Sequence, residues 1–448
     1  MIKLSILADE NPHEKRKEFY LKDLFSLAKI YYAMKFPQFN YAKKRNISLT
    51  VIIKWLFQWS QAPYQEIVDP DAIGRTIYLF KDTEYDRMFQ ELVKLSIYEF
   101  CRGCMLIYAI TLRARLFFPE KFKKSNFEIL RPPKINFLLK YIKSDFCEFR
   151  KRVSKHDLRG DLFERFSPPV LEKYPLIQLD ADSYIAPWPH FFTNRLCFGP
   201  YHILKEKYGY KFTERFGKRF QAYIAELLGI INNKHNIKWF SEKELKHRGK
   251  CPDFVVISRD EMLLIECKGI EEAIPYIDEN RLKVDEGKKL GNAVVQCFEF
   301  NEAVKKGYVP KISSKIKNSY CLVVTYRRFF FANTPFYRQE VILDTQSNYR
   351  GSQCFHQFVK RCQIIDIKNF ERLIALHYWS NQSIIDVVSR KIKDKPDDEF
   401  DIYLVNKNNK NYIRKGVPQI GDKFRDLAQN LQEEAVSVRP EISKLISP

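Results

Sequence analysis

Glycine is scarce in this chain, 15 among 448 residues, and none of it forms a phosphate-cradling loop. Neither a P-loop nor a G-x-G-x-x-G occurs, so a nucleotide-driven step would have to come from a partner. Long apolar runs are missing too. The most apolar stretch, Gly103 to Leu112, is closed by Arg102 and Arg113, well short of the roughly 18 residues that a membrane span requires. The opening MIKLSILADENPHEKRKEF has too short an apolar run for a secretory signal. There is no second Cys or His pair at zinc spacing to complete the C-x-x-C of Cys101 and Cys104, whose flanks are helical and apolar. Cys354, His356 and Cys362 would need a distant partner to make a metal cluster. Most of the ten cysteines sit in apolar runs, such as Cys297 in VVQCFEF and Cys321 in SYCLVV. That is the pattern of buried thiols in a reducing compartment. A cytoplasmic protein with no membrane partner is expected.

What the chain does have is positive charge. The formal net charge is +21, and a surplus of that size repels itself unless something anionic neutralises it. Nucleic acid is the commonest cellular polyanion. The hydrophobic share of 45% is that of a globular chain, and the length asks for two or three domains. Aromatics reach 15%. They serve cores and base stacking alike, so they decide nothing alone.

Along the chain the apolar spacing changes character. Residues 1–166 read as a mainly helical N-terminal domain, with helices over EFYLKDLFSLAKIYYAMKF, ISLTVIIKWLFQWSQ and the apolar run from Met88 to Phe118. A basic, aromatic-interleaved stretch follows from Lys121 to Arg165, suited either to a phosphate backbone or to a solvated amphipathic helix. Prolines gather at 168, 169, 175, 187, 189 and 200, so residues 167–204 read as a connector with short extended pieces at LIQL and SYIA. Residues 205–335 then give a helix, with Thr213 as its N-cap and Phe212, Phe216, Phe220, Tyr223 and Leu227 as its stripe. A strand at IKWF, a hairpin of CPDFVVI and MLLIECK around SRDE, a second helix through VVQCFEF and a strand at SYCLVVTY complete this part. Residues 336–448 are expected to form an α/β extension with a strand at EVILD, a helix at IKNFERLIALHYW and a polar C-terminal helix.

The hairpin carries the chemistry. Asp253 opens one strand and Glu266 ends the other, with twelve residues between them. If SRDE turns, both carboxylates arrive at the same end. Strand alternation sets Glu266 and Lys268 on one face and Cys267 on the other. Hydrolysis of a phosphodiester needs charge stabilisation and an activated water, which a hard divalent cation on carboxylates supplies. A lysine beside it neutralises phosphate. The backbone carbonyl of Cys267 is a third candidate ligand. The alternative is an ordinary ion pair of Glu266 with Lys268 beside a turn aspartate. Apolar strands rarely carry such charges without reason, because burying them unpaired costs several kcal/mol.

Pro252-Asp253 followed by Glu266-Cys267-Lys268-Gly269 resembles the signature of the PD-(D/E)XK nuclease superfamily. The helix FGKRFQAYIAELL is similar to that family's helix before the site, and Gln296 with Phe300 resembles its glutamine-bearing helix after the lysine. The resemblance spans roughly residues 205 to 330. It implies an α/β fold in which a restriction-endonuclease-like core, a central mixed sheet flanked by helices, follows the helical N-terminal domain. It further implies a nuclease that uses Mg²⁺ or Mn²⁺ held by Asp253, Glu266 and the Cys267 carbonyl, with Lys268 on the phosphate. Where many members carry a glutamate on the preceding helix, this chain has Gln221, which supports the site but adds no charge. Glu214, two turns away, would serve only with displacement. That departure bears on a second metal site. Arg248 and Lys250, with Gln296, are candidate nucleic-acid contacts, as is His247.

The expected function is therefore hydrolysis of nucleic acid, DNA favoured and RNA such as tRNA an alternative. Large accessory parts resemble those of restriction or anti-phage defence nucleases. A homodimer or an activating partner would suit cleavage of two strands. The competing class is a nuclease-fold binding module whose catalysis has decayed.

Overall fold

Helical periodicity and strand alternation meet in one mixed α/β fold, seen in a computed structural model that describes residues 70–437 except 115, 124–126, 146–172, 188, 190, 232–236, 246, 271–284, 330–331, 334, 336–337, 344–345, 350, 395–399, 405–408 and 419. The helices expected before residue 70 and the basic stretch from 146 to 165 lie outside the described residues.

The described chain opens with α1 (Pro70–Phe80), α2 (Glu84–Val93) and α3 (Ile97–Ala114). Helix α2 starts where the Thr83 hydroxyl accepts the Tyr85 N–H, and it ends at Lys94 in the left-handed region, a common helix stop. Strand β1 (Leu116–Phe117), α4 (Lys134–Ile142), β2 (Lys143–Asp145), β3 (Leu176–Gln178) and β4 (Tyr184–Ile185) follow. The four strands form a small sheet in the order β1-β4-β3-β2. The extended pieces expected at LIQL and SYIA are β3 and β4.

The proline-rich connector expected over 167–204 ends earlier than its prolines suggest. Phe191–Tyr208 is one buried helix, α5, with Pro200 inside it. Proline has no N–H for the carbonyl four residues back, here that of Leu196. The Cys101 thiol lies 3.7 Å from that oxygen and donates to it. Cys101 thus works as a buried polar group of the core. Burial drives its thiol well above the usual cysteine value, so it is inert.

Gly209 at φ +55° turns the chain into α6 (Tyr210–Ile230). The helix starts three residues before the expected N-cap. Thr213 bonds from its hydroxyl to the Tyr210 carbonyl within the first turn. The stripe Phe212, Phe216, Phe220, Tyr223 and Leu227 is buried as its spacing predicts. After it come β5 (Lys238–Ser241), the short α7 (Glu242–Leu245), β6 (Phe254–Ser258), β7 (Glu261–Lys268), α8 (Asp285–Lys305) and β8 (Asn318–Thr325).

The expected strand at EVILD does not form; Arg338–Leu343 winds into a helical turn. The place goes to CQIID, so the remaining elements are α9 (Gln353–Val359), β9 (Cys362–Asp366), α10 (Ile367–Trp379), α11 (Ile384–Asp394), α12 (Phe400–Leu404), α13 (Lys410–Arg414) and α14 (Ile420–Ser437). Asn333 braces β9 at the sheet edge: its amide donates to the Ile364 carbonyl at 2.9 Å and accepts the Ile364 N–H at 2.8 Å. The outer strand edge is met by a side chain rather than left open.

The large sheet runs β5-β6-β7-β8-β9. Its first three strands are antiparallel and its last three parallel, so β7 is the switch between the two patterns. One face, with Val256, Leu263, Ile265 and Leu322, shares a continuous apolar cluster with α1 to α6 and α10 to α14. The other face, with Val255, Met262, Leu264 and Val323, is covered by α8 and α9. Among the described residues no single helix is long and apolar enough to cross a membrane.

One buried ion pair ties the first cluster together. Arg75 on α1 meets both Glu371 oxygens on α10 at 2.7 and 2.8 Å, and the Tyr223 hydroxyl on α6 donates to the same carboxylate at 2.7 Å. Removing Glu371 takes the carboxylate away from a buried guanidinium, which typically costs about 3–5 kcal/mol, whereas an apolar pair of similar volume is far less costly. Urea unfolding of Glu371→Ala is expected to show a loss of that order. The double variant Arg75→Met with Glu371→Leu is expected to recover most of it.

Candidate functional site

The strand register builds the site. Phe254 pairs with Ile265 in the antiparallel β6–β7 ladder, so continuing it by one residue sets Asp253 opposite Glu266. The Asp253 N–H donates to Glu266 Oε2 at 3.2 Å. Glu266 continues the Met262 and Leu264 face toward α8, while Cys267 continues the Leu263 and Ile265 face toward α6. The alternation expected from sequence is the alternation found.

Helices on both faces then hold the carboxylates. From α6, the Gln221 amide donates to Asp253 Oδ1 at 2.6 Å. Oδ2 of the same aspartate accepts the Cys267 N–H at 2.7 Å. From α8, the Gln296 amide donates to Glu266 Oε2 at 3.0 Å and to the Cys251 carbonyl at 2.5 Å. Lys268 reaches back along its own strand to Glu266 Oε1 at 2.6 Å. Asp253, Glu266, Lys268, Gln221 and Gln296 therefore form one connected network.

The approach of α6 depends on two glycines. A Cβ on Gly269 would stand 3.1 Å from the Gly217 Cα, a contact tight enough that the backbone would have to give, so the helix meets the strand end backbone to backbone. Beneath that crossing Tyr201, Phe216 and Tyr326 pack ring to ring at 4.8 to 5.0 Å. Gln221 lies one turn beyond Gly217, and this places its amide over Asp253.

The electrostatics are those of two acids forced together out of water. Burial, and then the Asp253 charge, pushes Glu266 up to about 7, against the pull of Lys268. Burial also raises Asp253, although the Cys267 N–H and the Lys268 ammonium draw it down. Burial works against the charge on Lys268, yet Glu266 and Asp253 hold it above the usual lysine value. Such perturbed, convergent groups cluster at functional sites. Hard oxygens from Asp253 and Glu266, with the Cys267 carbonyl, are the groups here that could hold a divalent cation. No cluster of three or more acidic, His or Cys side chains is placed for a metal among the described residues.

The other candidates lie further out. Arg248 is exposed, and Lys250 pairs with Glu299 on α8 at 3.1 Å. His247 packs edge-on against Phe300. Glu214 is not drawn into the site; its carboxylate pairs with Lys218 at 3.7 Å. Glu242, which the sequence did not single out, stands beside Asp253: its N–H donates to the Asp253 carbonyl at 3.0 Å, and its charge adds to the rise in Asp253. An acid two residues after IKWF was the available signal, but only the β5–β6 pairing makes it a neighbour.

Compared with protein-family models, curated proteins and solved structures, the chain matches none.

Because the Glu266 value is raised in the folded chain, its contribution to stability is complete below the ordinary glutamate range and is lost as pH rises through about 7. Glu266→Gln removes that dependence. Urea midpoints measured from pH 5 to 9 are expected to fall less for the variant than for the wild type. At pH 9 the variant is expected to be the more stable of the two.

Proposed function

We propose that this chain is a Mg²⁺-dependent nuclease with a PD-(D/E)XK-type site. The observation that carries the reading is the buried pair Asp253 and Glu266, set face to face by strand register with Lys268 at 2.6 Å from Glu266. The order around it also supports the reading. Helix α6, three antiparallel strands, helix α8 and a parallel strand follow one another in the order that this reading asks for. The basic balance of the chain suits a polyanionic substrate.

The residues fit a divalent cation by their chemistry. Two buried carboxylates repel each other, and both are raised by that burial; a dication between them would relieve what now costs stability. Asp253, Glu266 and the Cys267 carbonyl would hold it. Bound there, Mg²⁺ supplies charge neutralisation at the phosphate and an acidified water.

The remaining work falls to the chain's own groups. Lys268, paired with Glu266 at 2.6 Å, is the ammonium that would face a non-bridging phosphate oxygen were Glu266 to hold an ion. Gln221 keeps Asp253 Oδ1 oriented, and Gln296 does the same for Glu266. The new bond joins water oxygen to phosphorus as that water gives up a proton to solvent, and the bond to the leaving sugar oxygen breaks as that oxygen takes a proton from solvent. Sugar identity is not read by these groups, so DNA, favoured by the resemblance, and RNA are both within their reach.

One observation favours a second reading. Gln221 brings a neutral amide to Asp253 where a further acid would add ligand charge, as in a binding module whose catalysis has decayed. Incubation with Mg²⁺ or Mn²⁺ against plasmid, linear and single-stranded DNA and total RNA separates the two. Cleavage is expected for the wild type, with Asp253→Ala at background and Lys268→Ala down about 10²–10³-fold. Cleavage that survives both substitutions would sink the assignment, and binding without cleavage under any ion would favour the module. Metal affinity has its own signature, because Glu266 must lose a proton near pH 7 to bind. Mn²⁺ titration calorimetry is expected to show affinity rising up to about tenfold per pH unit below that value and levelling above it.

A further inference from the structure

The surface of α6 that ends at the site begins at an exposed aromatic. Tyr210 is 78% exposed, the most open large hydrophobic side chain among the described residues, and it sits in the turn Lys207-Tyr208-Gly209-Tyr210-Lys211 between α5 and α6. At about 100° per residue, Tyr210, Glu214, Gly217 and Gln221 fall within about 60° of one another around the helix. This stripe lies away from the Phe212, Phe216 and Phe220 face that is buried. It runs from Tyr210, past the Gly217–Gly269 crossing, to the amide on Asp253.

Its charges are unevenly matched. Lys211 and Lys218 flank the stripe on its exposed side, and Lys207 stands just before it. The nearby acids are engaged: Glu214 with Lys218 at 3.7 Å, Glu206 with Lys173 at 2.6 Å, and Glu84 with Arg215 at 2.9 Å. Lys207 and Lys211 have no ion pair among the described residues. A platform ring with unmatched ammonium groups beside it, aligned with a phosphate-directed site, is the combination that single strands use. The backbone tracks the cations, and an unpaired base lies on the ring.

We propose that the α5–α6 corner holds a single-stranded segment of the nucleic-acid substrate, with a base stacked on Tyr210 and phosphates on Lys207 and Lys211. This rests on the nuclease reading only for its direction, since the strand it holds leads to Asp253. Eleven helical steps lead from Tyr210 to Gln221, about 16 Å. At about 3.4 Å per stacked nucleotide, the held base lies about five nucleotides from the scissile phosphate.

The test is binding in EDTA, where cleavage is silent, read by fluorescence anisotropy with labelled single-stranded DNA, RNA of the same sequence, and the matching duplex. Tyr210→Ala is expected to weaken single-strand binding about 5- to 100-fold. Tyr210→Phe is expected to stay within about twofold of wild type, and duplex binding to change little. Lys207→Ala with Lys211→Ala is expected to lower the log–log salt slope by about 1.4, about 0.7 for each phosphate that is no longer neutralised. DNA and RNA arms that respond alike support backbone-and-stacking recognition, and a response confined to one of them identifies the strand held. Wild-type affinity in Tyr210→Ala, an unchanged salt slope, or no single-strand binding by the wild type would each overturn the proposal. Cleavage by Asp253→Ala is a separate failure: it would remove the nuclease site and leave the Tyr210 result standing.

Discussion

Two carboxylates held face to face in a strand pair, with little water to screen them, set the terms for everything around them. The β6–β7 register fixes Asp253 against Glu266, and neither can move away without unpairing a ladder that is buried on both faces. The surroundings are therefore arranged to make that proximity bearable. Two amides arrive from opposite sides of the sheet, a lysine lies along the strand, and a backbone N–H caps the aspartate. Three donors to Glu266, the Gln296 amide, the Lys268 ammonium and the Asp253 N–H, still leave it raised to about 7. Without a cation, the proton is the most accessible counter-charge that the site can recruit.

Much of this was legible in the sequence because it is local. Alternation in MLLIECK puts Glu266 and Lys268 on one face, and a turn at SRDE brings Asp253 alongside. Both statements need only a period of two residues. The stripe on α6 needs only a period of 3.6. What the sequence could not show depends on elements far apart in the chain. Glu242 neighbours Asp253 only once β5 has paired with β6. CQIID, not EVILD, is the outer strand, and the Asn333 amide that braces its edge comes from about thirty residues earlier in the chain.

Proline and glycine misled in opposite directions. Pro200 suggested a break, yet a thiol from α3 takes the place of the missing donor and the helix continues. Gly217 entered only as part of the motif helix, yet it is where the helix and the strand end touch. Local rules judge a residue by what it does to its own backbone. In both places the decisive contact came from another element.

The pair between Arg75 and Glu371 has a consequence for the order in which the protein is made. Residues that clamp α6 from below come from both ends of the described chain, and the acid that joins them is translated late. At about 5–20 residues per second, Glu371 leaves the ribosome several seconds after Lys268, roughly a hundred residues later. During that interval the residues of the hairpin are already made while the helix carrying Gln221 lacks its anchor. The nascent polypeptide thus carries its acids before it carries the partner that fixes the helix above them.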